Sequence, residues 1–135
     1  MQNKLNNITK NPSIFRGVFC LCLFLISGLS IAQPSIKFET PKKNFGFVKK
    51  GEVVKIEFPF TNNGNQPLLI TAAKVECSCT TVDYPKQPIL PNEKGMVIIS
   101  FDTKTVYDRQ DRIVVIVSNA KNNEQKIRFK GVVLK

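Results

Sequence analysis

The sequence predicts an all-β protein: a sandwich of about seven short strands behind a cleavable export signal. Three observations carry this reading. Apolar and polar side chains alternate with a period of two after residue 32. Turn-forming residues recur between the alternating runs, and the first 32 residues follow a basic, apolar, small-residue order.

Residues 1–16 carry Lys4, Lys10 and Arg16 and no acid. Gly17 to Ala32 carries no charge, and Ser30 and Ala32 place small side chains where a signal peptidase needs them for a cut at Gln33. A spanning helix wants about 20 apolar residues, and this stretch is shorter. Residues 1–32 are therefore read as a signal peptide and residues 33–135 as one domain, with no transmembrane span left after cleavage. Cys20 and Cys22 lie early in the apolar run among bulky neighbours, as apolar filler rather than lipid-attachment sites.

The 20 lysines and arginines, less the three in the leader, leave 17 against 10 acids, a net +7 for the exported domain. A basic domain commonly meets nucleic acid, but export argues against that partner. The charge is read as a lysine-rich skin, and lysines on edge strands also oppose aggregation. Binding of carbohydrate or a polyanion is the other use of such a surface.

Ile36 and Phe38 make a short strand, and Phe45 and Phe47 another, with Gly46 and Gly51 as punctuation. Val54, Ile56, Phe58 and Phe60 alternate with Lys55, Glu57, Pro59 and Thr61, a half-buried strand. Pro59 has no amide to donate, so its nitrogen should face an edge or a bulge. Asn62 to Asn65 ends the strand as a turn. Leu68 and Ile70 continue one face; Val75, Cys77 and Cys79 continue on the opposite parity, which predicts a bulge near Ala72 and Ala73. Tyr84 to Gly95 holds three prolines and is expected to cross between the sheets. Val97, Ile99 and Phe101 alternate again. Ile113 to Val117 is apolar throughout, as for a strand covered on both faces, and Ile127, Phe129, Gly131 and Val133 close the chain.

The chain has no histidine, which excludes a Ser–His–Asp triad, a Cys–His dyad and any His-ligated metal. Cys77 and Cys79 are the pointed feature. On an extended strand they share a face with Cα atoms about 6.5–7 Å apart, close to the upper limit for a disulfide. Three readings stay open: two apolar thiols, a Cys77–Cys79 disulfide formed after export, or a two-thiolate metal site. Zinc would need two more ligands, whereas Cu(I) accepts two soft ones. An exported protein favours the oxidised pair. Asp108 and Asp111 each have an arginine neighbour and read as a solvated turn. Lys42, Lys43, Lys49 and Lys50 flank Asn44-Phe-Gly-Phe-Val48, where the phenylalanines are expected in the core and the lysines in water.

Asn44-Phe-Gly-Phe, Phe60-Thr-Asn-Asn-Gly with Pro67-Leu, Val75-Glu-Cys-Ser-Cys-Thr-Thr, Ile89-Leu-Pro-Asn-Glu-Lys-Gly, Phe101-Asp-Thr and Ser118-Asn-Ala occur in this order over residues 35–135. As a series they resemble the bacterial domain-of-unknown-function family 1573. The resemblance implies an immunoglobulin-like fold and an exported protein of the Gram-negative periplasm or envelope, without implying an activity. Relatives usually place glycine between the two cysteines; Ser78 stands here, and glycine would ease the bend that a disulfide needs. Their lipid anchor has no cysteine here to carry it. The expectation is a non-enzymatic envelope domain that binds or scaffolds another protein, with a thiol-redox or Cu(I) module on Cys77 and Cys79 as the alternative.

Overall fold

Alternation builds the core. In the computed structural model, which describes residues 32–135, the inward positions Phe58, Phe60, Val97, Ile99, Phe101, Ile127 and Phe129 are fully buried between two sheets. The predicted signal lies outside the described residues apart from Ala32. Residues Ala32–Lys135 form one unit. Its strands are β1 (Ile36–Phe38), β2 (Lys42–Lys49), β3 (Val53–Asn62), β4 (Ile70–Val75), β5 (Thr80–Asp83), β6 (Lys94–Asp102), β7 (Asp108–Ser118) and β8 (Glu124–Leu134). The first sheet runs β1-β3-β6-β5 and the second β2-β8-β7-β4. Eight strands thus stand where about seven are expected, in an all-β sandwich. No helix among the described residues is long and apolar enough to cross a membrane.

The segment Ile36–Lys49 divides between the sheets. β1 pairs antiparallel with the end of β3, and β2 pairs parallel with β8. The change comes at Glu39–Pro41, where Glu39 N donates to Pro59 O and Pro41 O accepts from Arg128 N. β1 covers only Phe60–Asn62 of β3. Beyond the bond from Glu39 N to Pro59 O, that side of Val53–Phe58 is a free edge. Pro59 turns its carbonyl, and with it the missing amide, towards that side, as its chemistry requires.

Three sequence readings are corrected here. The proline-rich Tyr84–Gly95 does not cross between sheets: it joins β5 to β6, neighbours in one sheet. Ile89 buries its side chain and bridges Leu68. The crossing is made instead between β4 and β5, through the cysteines. Asp108 and Asp111 are not in a turn but in the first residues of β7. Phe47 does not enter the core. A register shift between Asn44 and Gly46, with Gly46 at φ 77°, inserts one residue into β2. That flips the parity, so Phe45 packs on Phe101 and Phe129 while Phe47 faces out, 75% exposed. The bulge expected near Ala72 is present, as a shift between Ile70 and Ala72.

Asn62 has a larger part than a turn residue. It is fully buried at the end of β3. Its Nδ2 donates to Gln66 O (2.8 Å) and Ile89 O (2.9 Å), and its Oδ1 accepts from Gly64 N (3.0 Å) and Ser35 N (3.3 Å).

Candidate functional site

The cysteines sit where the chain leaves the second sheet for the first. β4 ends at Val75 and β5 starts at Thr80. Between them Thr80 N donates to Cys77 O (3.2 Å), closing a four-residue turn, and Asp102 N donates to Cys79 O (2.8 Å), tying the turn to β6. This contraction brings the two Cα atoms to 5.3 Å, well inside disulfide range, and the sulfurs are bonded to each other. The strand geometry expected from the sequence does not hold, because parity breaks at the bulge of β4 and the strand stops before Cys77. Ser78 causes no strain: the only non-glycine residues with positive φ among those described are Asn92 and Asp108. The turn does not need the left-handed conformation for which glycine is suited.

Both cysteines are half-buried, with Cys79 against the core. The hydroxyl of the buried Thr80 lies 3.6 Å from Cys77 Sγ and 3.8 Å from Cys79 Sγ. It is placed to donate to either sulfur if the pair is reduced. Bonded to each other, the sulfurs have no thiolate to offer a metal; Cu(I) chemistry would belong to the reduced pair. No group of three or more Cys, Asp or Glu side chains among the described residues is arranged to hold a metal ion.

The free edge of β3 borders a groove of about 360 Å³ between the two sheets, lined by Lys43, Phe45, Val54, Ile56 and Glu57 among others. Pro59 O faces β1, so the backbone groups of Val53, Lys55 and Glu57 face the same open side by alternation. Lys43 is half-buried, its ammonium 5.7 Å from the centre of the Phe58 ring. Sequence reasoning missed this groove: it exists because β1 changes sheets, a long-range outcome. On the outward side of the second sheet Asp111 accepts from Arg128 Nε (2.6 Å) and pairs with Nη2 of the same guanidinium. That hydrogen bond holds the Asp111 carboxyl below its ordinary range.

Two antiparallel-rich sheets packed face to face, with the segment Ile36–Lys49 divided between them, make this an immunoglobulin-like sandwich. Within that class the chain belongs to the family described as protein of unknown function, DUF1573, whose model matches residues 36–133. Curated protein sequences contain no match. Among solved structures the chain is similar to a protein of unknown function from Porphyromonas gingivalis W83, with 18% identity and a TM-score of 0.68, over 79% of this chain and 50% of that one. It thus spans about half the length of that structure. It is also similar to the ASH/PapD-like domain 7 of human CEP192, at 8% identity and TM-score 0.60 over 99% of this chain and 95% of that one. A third is the Pseudomonas aeruginosa CupB2 chaperone, at 10% identity and TM-score 0.53 over 72% and 55%. At these identities the likeness is one of fold.

Proposed function

We propose that this is a non-enzymatic domain of the bacterial cell envelope that binds another protein by accepting an extended segment along the free edge of β3. The free edge carries the proposal. Val53, Lys55 and Glu57 leave donors and acceptors unpaired in a regular, unbulged stretch, beside a groove floored by Phe45, Val54 and Ile56. An added strand would satisfy those groups and set alternate side chains into the groove. The leader sequence supports export, and the lack of histidine supports a binding rather than a catalytic role.

Lys55→Pro tests this directly. The Lys55 amide faces the free side, so proline removes a donor that the ladder to β6 does not use. Stability should change by less than about 1 kcal/mol in a denaturant melt, while partners retained from envelope extract by immobilised wild-type domain should be lost. Equal retention by wild type and variant would reject the edge as the binding surface.

A second reading, a thiol-redox or Cu(I) module, is favoured by one observation: the disulfide closes a loop of only three residues. Such a bond contributes little to stability, so it is a poor staple. Alkylation and mass spectrometry across a series of thiol–disulfide buffers should show a reversible two-electron change at Cys77 and Cys79. Anaerobic Cu(I) titration of the reduced form should show tighter binding than in the Cys77→Ser, Cys79→Ser variant. A pair that stays oxidised in strong reductant, with no copper difference, ends this reading.

A further inference from the structure

The two outward faces of the sandwich differ in charge. On the first sheet, Lys37, Lys55 and Lys94 are balanced by Glu57, Asp83 and Asp102. The second sheet turns Lys42, Lys49, Lys74, Arg109, Lys126, Arg128 and Lys130 outward, against Asp111 and Glu124 alone. Both of those acids are already paired, Asp111 with Arg128 and Glu124 with Lys74 (2.5 Å). Lys42, Lys49, Arg109, Lys126 and Lys130 have no ion-pair partner among the described residues. Five cations therefore share one face without compensation.

The face also carries two adjoining hollows. A hollow of about 280 Å³ is lined by Lys42, Lys43, Asn44, Arg128 and Lys130. A second, of about 130 Å³, has Asn44, Phe47, Arg109, Lys130 and Val132 in its wall. The two share Asn44 and Lys130, so they form one trough across β2, β8 and β7. Asn44 Oδ1 accepts from Gly46 N (2.9 Å), which leaves the amide donors of Asn44 for a ligand. The Phe47 ring stands at the rim, 75% exposed.

We infer that this trough binds an anionic glycan, a sugar chain carrying carboxylate or phosphate groups. Cations meet the acids through charge-assisted hydrogen bonds, the Asn44 amide meets a hydroxyl, and the Phe47 ring covers the apolar C–H face of one sugar ring. Single-stranded nucleic acid wants several stacking rings in succession, and this face offers one. An acidic peptide docking by strand addition wants an unbroken edge, and the bulge at Asn44–Gly46 interrupts that of β2. This inference rests on outward side chains of β2, β8 and β7 and not on the backbone edge of β3, although the groove beside that edge shares Lys43 and Asn44 with the trough.

The test compares two triple variants with the same change in net charge: Lys42→Glu, Arg109→Glu, Lys130→Glu on the trough, and Lys37→Glu, Lys94→Glu, Lys104→Glu on the first sheet and the loop after it, away from the trough and the β3 edge. Polygalacturonate binding to the full domain should weaken about tenfold or more in the first and change little in the second. Phe47→Ala should weaken it too, with melting unchanged. If charge reversal prevents folding, the Lys42→Gln, Arg109→Gln, Lys130→Gln variant replaces it and is compared with the same three control lysines changed to Gln. Equal weakening by both triples would reduce the effect to net charge and overturn the inference. So would equal binding of neutral dextran, or binding of polyglutamate as tight as polygalacturonate, which would make the ligand an acidic polymer without need of sugar.

Discussion

Two turns of this sandwich are secured in opposite ways. The turn after β3 is held by the side-chain amide of Asn62, fully buried and bonded to four backbone groups. The turn between β4 and β5 is held by a covalent bond between two half-buried sulfurs. The covalent turn is the less important for stability. Closing a loop of three residues removes about 1.6 kcal/mol of unfolded-chain entropy, against about 3 kcal/mol for a fifteen-residue loop. Removing the Asn62 amide leaves the part-buried Gln66 O, Gly64 N and Ser35 N without that partner, at up to about 1–3 kcal/mol each. Stability is thus concentrated in the non-covalent turn, and reduction of the disulfide is expected to leave the protein folded.

Asn62→Ala is expected to have the largest effect. Gln66 O loses its donor, Ile89 O is left with Leu68 N alone, and Gly64 N and Ser35 N lose their acceptor. Some of these groups lie near the surface and will find water, so the expected loss is about 3 kcal/mol rather than the full sum of four. Urea unfolding at neutral pH measures it. A loss below that of the cysteine double variant would reverse the ranking of the two turns.

The same contrast explains what could be read from the sequence. Alternation alone located β3, β6 and β8, because those strands bury one face and show the other to solvent. Asn62 was legible as a turn former but not as a hub. Its partners come from Ser35, Gln66 and Ile89, separated in sequence by up to 27 residues. Phe47 was misplaced because a single glycine bulge reverses every inward–outward assignment after it. The alternating Lys126, Arg128 and Lys130 were visible as an outward row. That Lys42 and Asn44 lie beside them depends on the parallel pairing of β2 with β8, and that Arg109 does so depends on the register of β7 against β8, neither of which a local pattern encodes. The cysteine spacing suggested a chemistry, while the parity break that makes it a turn was placed only approximately.

The smaller effect is expected at the covalent turn. Cys77→Ser, Cys79→Ser should lower stability by about 1.6 kcal/mol or less, since the turn keeps its Thr80 N to Cys77 O and Asp102 N to Cys79 O bonds, which are made by backbone. Reduction of the wild-type pair should cost a similar amount, because the loop constraint is lost in the same way. The comparison sharpens if the two losses agree. A reduced wild type more stable than the serine variant would show that the half-buried thiols and the Thr80 hydroxyl contribute packing and hydrogen bonds of their own. A loss of 3 kcal/mol or more in the variant would instead make the disulfide a structural staple and remove the physical basis for reading it as a redox centre.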